Sequence, residues 1–223
     1  MCGRYALTSP PAVIAERFRL LWTPDIPPHY NIAPSQTVPA VRETAHGREL
    51  AFLRWGLIPS WAQDASIGMK LINARAESLA DKPAFRNAYR LRHCLIPADA
   101  FYEWKPVAGR KQPYCIRLRD AGPFGMAGLW ERWKDPHGEW VESCTIVTVD
   151  ANPLVAPLHD RMPLVVAPEA YDAWLAAGSA ELPPAMPAQA MQAYPVSPLV
   201  SNAKNDVPAC LDPVDPPEAE SDA

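Results

Sequence analysis

The sequence lacks the features by which several functional classes are recognised. Its five cysteines, Cys2, Cys94, Cys115, Cys144 and Cys210, form no CxxC pair and share no zinc-site spacing with a histidine. Protein-held zinc needs three or four such ligands at close spacing, so neither a metal nor any other cofactor is expected. Scattered thiols, odd in number, read as the reduced cysteines of a cytoplasmic protein. No apolar run approaches the roughly 20 residues of a membrane span, and the start of the chain lacks the apolar core of a signal peptide. Basic residues are not in excess, at 21 Lys and Arg against 25 Asp and Glu, which argues against a general nucleic-acid coat. Five of those acids lie in Leu211–Ala223, and without them the remainder carries 21 basic against 20 acidic side chains. A local basic groove is therefore compatible with the composition. No repeat and no long linker precedes residue 210. The expected organisation is one domain over 1–210 and a disordered acidic tail over 211–223.

Proline, by contrast, is plentiful at 27 residues. It lacks an N–H and fixes φ, so short strands and short helices joined by rigid turns are expected. Val13, Ile14, Phe18 and Leu21 predict a helix over Pro11–Leu20 with Ser9 as N-cap, followed by a loop over Trp22–Pro34. Thr37–Thr44 and Glu49–Trp55 read as strands about a His46-Gly47 turn. Ser78–Tyr89 reads as a polar helix. Cys94–Ile96, Phe101–Lys105, Pro113–Leu118, Gly125–Glu131, Trp140–Val149 and Pro163–Val166 read as strands. Pro168–Ala177 reads as a helix closed by Gly178, Pro187–Tyr194 as a second short helix, and Pro195–Val200 as a strand or loop. Strands outnumber helices without alternating with them, which predicts an α+β fold with a largely antiparallel sheet.

Four segments carry more chemistry than packing needs. Once Met1 is trimmed, Cys2 bears a free α-amine beside its thiol. With a reference pKa of about 7.7–8.0, roughly a quarter of such an amine is neutral at pH 7.4. An aldehyde meeting it forms an imine, and the thiol then closes a five-membered thiazolidine, a ring closure that proximity accelerates. Read alone, Cys2 fits better a small packed hydrophobe. In Phe101-Tyr102-Glu103-Trp104, strand alternation sets Phe101 and Glu103 on one face and Tyr102 and Trp104 on the other. A carboxyl against a core has a raised pKa and suits acid–base work; one facing solvent or an arginine does not. Leu158-His159-Asp160-Arg161-Met162-Pro163 opens a strand with a histidine able to move a proton near neutral pH, or with a hydrogen-bonded loop histidine. Ile72-Asn73-Ala74-Arg75-Ala76-Glu77-Ser78 offers an amide for a developing oxyanion and an arginine for a phosphate; Arg75 and Glu77 also fit a plain surface pair.

A dispersed set of cations, aromatics and amides comprises Arg4, Trp55, Trp61, Arg75, Arg86, Trp104, Arg161, Asn202 and Lys204. Arginine on phosphates and aromatics under bases is how single-stranded nucleic acid is held without sequence preference, provided the fold gathers these residues.

Ordered along the chain are Met1-Cys2-Gly3-Arg4-Tyr5, Tyr30-Asn31-Ile32-Ala33-Pro34, Trp55-Gly56-Leu57-Ile58-Pro59-Ser60-Trp61 and Ile72-Asn73-Ala74-Arg75-Ala76-Glu77. Cys94-Leu95-Ile96-Pro97-Ala98-Asp99-Ala100-Phe101-Tyr102-Glu103-Trp104, Ala127-Gly128-Leu129-Trp130-Glu131 and Thr145-Ile146-Val147-Thr148 continue the series. His159-Asp160-Arg161-Met162-Pro163 and Pro195-Val196-Ser197 complete it. In these segments the chain resembles the SOS-response-associated peptidase (SRAP) family, whose members cross-link to abasic sites in single-stranded DNA. The resemblance implies a curved or barrel-like sheet, Cys2 as cross-linking nucleophile after loss of Met1, and Asn73, Glu103 and His159 as the other catalytic positions. It implies that Arg4, Asn31, Arg75, Arg86, Trp104 and Arg161 contact phosphates and the unstacked nucleotide, with Trp61 wedging at the DNA end. The chain departs from the family at Ala100, often Gly, and at Pro198, often basic or polar. The expected partner is single-stranded DNA carrying abasic sites, bound by a cytoplasmic, nucleoid-associated monomer, with lyase activity open to the same site. A cysteine peptidase able to release its own Met1, and a non-covalent reader of single/double-strand junctions, are the alternatives.

Overall fold

The computed structural model describes residues 2–22, 25–107, 109–176 and 181–215. In chain order its elements begin with β1 (Tyr5–Leu7), α1 (Pro11–Phe18), β2 (His29–Ile32), β3 (Thr37–Thr44), β4 (Gly47–Trp55) and β5 (Asn73–Arg75). They continue with α2 (Arg86–Leu91), β6 (His93–Ala98), β7 (Ala100–Val107), β8 (Arg110–Leu118), β9 (Phe124–Lys134) and β10 (Trp140–Asp150). β11 (Arg161–Pro163), β12 (Val165–Val166), α3 (Tyr171–Leu175) and β13 (Met191–Pro195) complete the set. As the proline content predicts, the helices are no longer than eight residues.

Five strands close on themselves in the order β3, β4, β10, β9, β6 and back to β3. Only the β4–β10 pair is parallel; the rest of the ring is antiparallel. Closure leaves this barrel without a free edge. β5 and β11 attach to β10, and β12 to β9. A second, antiparallel sheet runs β13-β8-β7-β1-β2. One of its faces joins the barrel in the main core through Tyr5, Phe101 and Ile116. Its other face packs Ala6, Ala100, Tyr102 and Cys115 under Val196, Val200 and Cys210. The edge-to-face pair of Tyr5 and Trp55, 5.4 Å between centroids, ties the sheet to the barrel, and such pairs contribute about 0.5–1.5 kcal/mol beyond burial. The fold is thus α+β with a barrel, as expected.

Several local expectations give way to tertiary context. Ser9 does not cap α1: the N-cap is Pro10, and the Ser9 side chain donates to Asp99 at 2.5 Å while Asp99 also accepts the Thr8 and Ser9 N–H groups. The loop expected over 22–34 contains β2, whose four residues are too few to show a period. The helix expected over 78–89 is split. A 3-10 turn ends at Ser78 and α2 starts at Arg86, because Pro83 cannot donate and disfavours helical geometry at Lys82. Within the helix expected over 187–194, Met191–Pro195 is a strand, drawn into register with Tyr114–Leu118. α3 ends at Leu175, and Gly178 lies outside the described residues. The tail expected to be disordered from 211 is held as far as Val214. Tyr194 donates its hydroxyl to Leu211 C=O at 3.1 Å, and Val214 N–H donates to Pro195 C=O at 3.0 Å. Residues 216–223 lie outside the described residues.

The Gly56–Lys70 segment, which carries Trp61, is seated by a backbone-to-backbone contact. A Cβ on Gly68 would lie 2.6 Å from Gly56 O, and one on Gly56, at φ 127°, 2.7 Å from Gly68 O. Gly68→Ala is expected to destabilise the fold by about 1–3 kcal/mol, as overpacking does, measured by urea denaturation; an unchanged midpoint refutes the contact.

Candidate active site

The site forms where the second sheet meets the β10 side of the barrel. β1 pairs with β7 through Tyr5 with Phe101 and Ala6 with Ala100, and Tyr102 N–H donates to Arg4 C=O at 3.0 Å. Carried two residues further, this register sets Gly3 level with Glu103. Cys2 is fully buried in the main core. Asn73 opens β5 and is registered against Ile146 of β10; its Nδ2 donates to the Cys2 carbonyl at 2.8 Å. His159 follows a tight turn in which Asn152 Oδ1 accepts from Leu154 and Val155 N–H at 3.1 Å, and its own N–H donates to Val155 C=O at 3.0 Å. β11 then begins at Arg161, paired with Asp150. Asn73 thus reaches the carbonyl of residue 2, Glu103 lies close enough to act on Cys2, and His159 lies near Glu103.

Alternation along β7 is as expected. Phe101 joins the main core and Tyr102 and Trp104 the smaller cluster, so Glu103 faces the main core, 3% exposed. Burial raises its carboxyl above the usual range, against the pull of the nearby His159. Burial also pushes the Cys2 thiol well up, and the Glu103 charge adds to the effect. At neutral pH the sulfur therefore carries its proton.

The family model described as SOS response associated peptidase (SRAP) matches residues 1–203. The chain belongs to the SRAP family. Abasic site processing protein YoqW of Bacillus subtilis is 40% identical over 222 residues, covering 95% of this chain and 99% of the relative. Abasic site processing protein HMCES of Xenopus tropicalis is 31% identical over 219 residues, covering 82% of this chain and 65% of the relative. Among solved structures, a protein from Bacteroides thetaiotaomicron superposes with a TM-score of 0.82 at 25% identity, covering 96% of this chain and 100% of that one. A Bordetella bronchiseptica protein gives 0.79 at 31% identity, covering 88% and 100%.

Around this SRAP centre the residues expected to contact DNA fall into two groups. Arg75, Arg86, Trp61 and Asn202 are exposed. Arg75 and Lys82 line a groove of about 490 Å³ with Asp160 and Arg161. Trp61 and Arg86 line another of about 550 Å³ with Ser60, Pro83 and Asn87. Trp61 is 58% exposed and anchored by its Nε1–H to Pro83 C=O at 3.4 Å. The second group is held by the chain itself. Arg161, 8% exposed, makes a two-pronged pair with Glu77 at 2.9 Å and also donates to Asp150 and to Thr148 C=O. Asn31, 1% exposed, donates to the carbonyls of Val200, Asn202 and Asn205 and accepts from Arg4 Nη1 at 2.9 Å. Arg4 also donates to Val200 C=O, and Trp104 Nε1 to Ser201 Oγ. Pro198 opens the turn in this segment, capped by Ser197. Asn31 and Arg161 therefore position loops here, a role that residue type alone did not reveal. Sequence reasoning gave no role to Lys82 or Asp160; the His159-Asp160 adjacency was the available signal for the latter.

Glu103→Gln is expected to raise stability above the acidic range. A carboxyl whose folded pKa is raised costs stability as it ionises, so the wild type falls below the variant as pH rises from about 4.5 through the folded value. Below that window the two should coincide in urea melts. Asn31→Ala should cost about 1–3 kcal/mol by orphaning buried partners, with faster hydrogen exchange confined to 198–206.

Proposed function

We propose that the chain processes abasic sites in single-stranded DNA by linking itself covalently to them through Cys2. One observation carries the reading: Asn73 holds the carbonyl of residue 2 in a buried site shared with Glu103 and His159. The names of the B. subtilis and X. tropicalis relatives, abasic site processing proteins, agree with it.

An abasic sugar interconverts between a closed hemiacetal and an open aldehyde. His159, as imidazolium, gives its proton to the ring oxygen as the C1′–O bond breaks, while the C1′ hydroxyl proton passes to the Glu103 carboxylate. Asn73 Oδ1, buried and without a protein partner among the described residues, accepts from a sugar hydroxyl. With Met1 removed and the Glu103 proton released to solvent, Glu103 again serves as base and keeps the Cys2 amine neutral; the amine adds to C1′, water leaves, and an imine forms. Sulfur then adds to the same carbon, its proton goes to the imine nitrogen, and the thiazolidine closes. The amine attacks first because the buried thiol holds its proton. That protonated thiol also weighs against a thiolate peptidase. Until the ring closes, the imine favours β-elimination, so lyase activity is a side reaction.

Arg75, Lys82 and Arg86, all exposed, supply phosphate contacts, and Trp61 a stacking platform at the strand's turn. Arg4 and Trp104 are tied to the 198–201 turn that Asn202 closes, and with it supply further contacts. A monomer meets these needs, acting at the nucleoid; among the described residues no helix is long and apolar enough to cross a membrane.

The test is intact mass with an abasic oligonucleotide. Wild type should lack Met1, gain the oligonucleotide less one water, and survive a denaturing gel. Cys2→Ser should form an adduct only when borohydride traps the imine, with stable adduct falling at least about 100-fold, within the range of lost proximity effects. A strand released by heat and detergent from the wild type would leave only a non-covalent reader.

A further inference from the structure

Trp55 belongs to the set of residues suited by type to hold nucleic acid, yet it ends β4 in the main core at 1% exposure. Burial removes it from any strand of DNA. A core position asks only for apolar volume, which Leu53, two residues earlier on the same face of β4, supplies. Tryptophan adds a donor, and a buried indole N–H must find an acceptor. Here Trp55 Nε1–H donates to the Ile72 carbonyl at 2.9 Å. That oxygen already accepts the Ile146 N–H at 3.1 Å, so the sheet ladder does not require the second donor. With both its lone pairs engaged, the peptide unit joining Ile72 to Asn73 is held from β10 and from β4 at once. The next residue, Asn73, then donates from Nδ2 to the Cys2 carbonyl at 2.8 Å.

The same indole also meets the chain that carries Cys2. Tyr5, three residues along from Cys2, packs edge to face on Trp55 with centroids 5.4 Å apart. The backbone of Trp55 is itself fixed: its N–H donates to Gln36 C=O at 2.9 Å, and its carbonyl accepts the Ser35 N–H at 2.8 Å. One rigid ring therefore touches both segments that the Asn73–Cys2 bond joins.

We infer, on the role proposed above for Asn73, that Trp55 is a positioning residue. Its indole N–H sets Asn73 against Cys2, and so aims Asn73 Oδ1, without a protein partner among the described residues, at a bound sugar. A neutral, buried N–H adds nothing to DNA affinity. It governs how precisely the amide is held, and small misplacements of a positioning group are costly in rate.

The test compares wild type with Trp55→Phe and with a protein carrying 3-benzothienylalanine at position 55, which keeps the shape of the ring and replaces its N–H by sulfur. Hydrogen exchange of the Asn73 side-chain amide, assigned by NMR against Asn73→Asp, should quicken about threefold to tenfold in both, the range of one neutral hydrogen bond. The single-turnover rate of adduct formation on an abasic oligonucleotide should fall by a similar factor, with the half-saturating oligonucleotide concentration kept within about twofold. An isostere whose amide exchange or rate matches wild type overturns the inference, even if Trp55→Phe is impaired, because packing alone then accounts for the residue. A half-saturating concentration that rises in step with the loss of rate overturns it too. A wild type that forms no adduct overturns the proposed function instead, and amide exchange still decides whether the indole holds Asn73.

Discussion

The ladder bond from Tyr102 N–H to Arg4 C=O, 3.0 Å long, makes the start of the chain an interior strand rather than a fraying end. Chain termini are ordinarily poorly ordered. Here β1 is enclosed by β7 on one side and β2 on the other, and residue 2 is fastened at its carbonyl by Asn73. A nucleophile carried on a terminus loses its advantage if the terminus wanders, since effective molarity depends on restricted freedom. The ordering entropy is met at folding, by the whole sheet, before any substrate arrives. The barrel contributes through β10, which holds both β5 and β11. Neither sheet alone assembles the site.

The cations divide the same way. Arg161 and Arg4 are held on carboxylates, carbonyls and an amide, and they knit the loops flanking Cys2. Arg75, Lys82 and Arg86 project from the stretch between β5 and α2, which Pro83 keeps from winding into one helix. Three exposed cations thus share one short segment with the exposed acids Glu77 and Asp81, on a body of nearly balanced charge. The acidic excess of the sequence lies largely in the last thirteen residues.

The β3–β4 hairpin was legible because two strand-like runs about a glycine turn, Gly47 at φ 105°, are local signals. The faces of β7 followed from the period of two along a strand. β1, β2 and β5, of three or four residues, were invisible, since their register is set by partners distant in sequence. Cys2, Asn73, Glu103 and His159 stood out individually, and family resemblance grouped them; their convergence at one buried point is a property of the topology. Asn31 was expected to face DNA through the family resemblance alone, and Arg161 from its chemistry as well. Which carbonyls and carboxylates lie beside them is a tertiary fact that neither signal carries.

The outer strands of the second sheet carry a consequence of their own. On β2, the amides of Tyr30 and Asn31 both donate to Asp206, at 2.5 and 3.2 Å, while His29 meets the other oxygen. At the opposite border, Pro213 bridges to Val196 just beyond β13. A side-chain carboxylate and a proline thus occupy places where a foreign strand would seek hydrogen bonds. This is protection against sheet extension between copies.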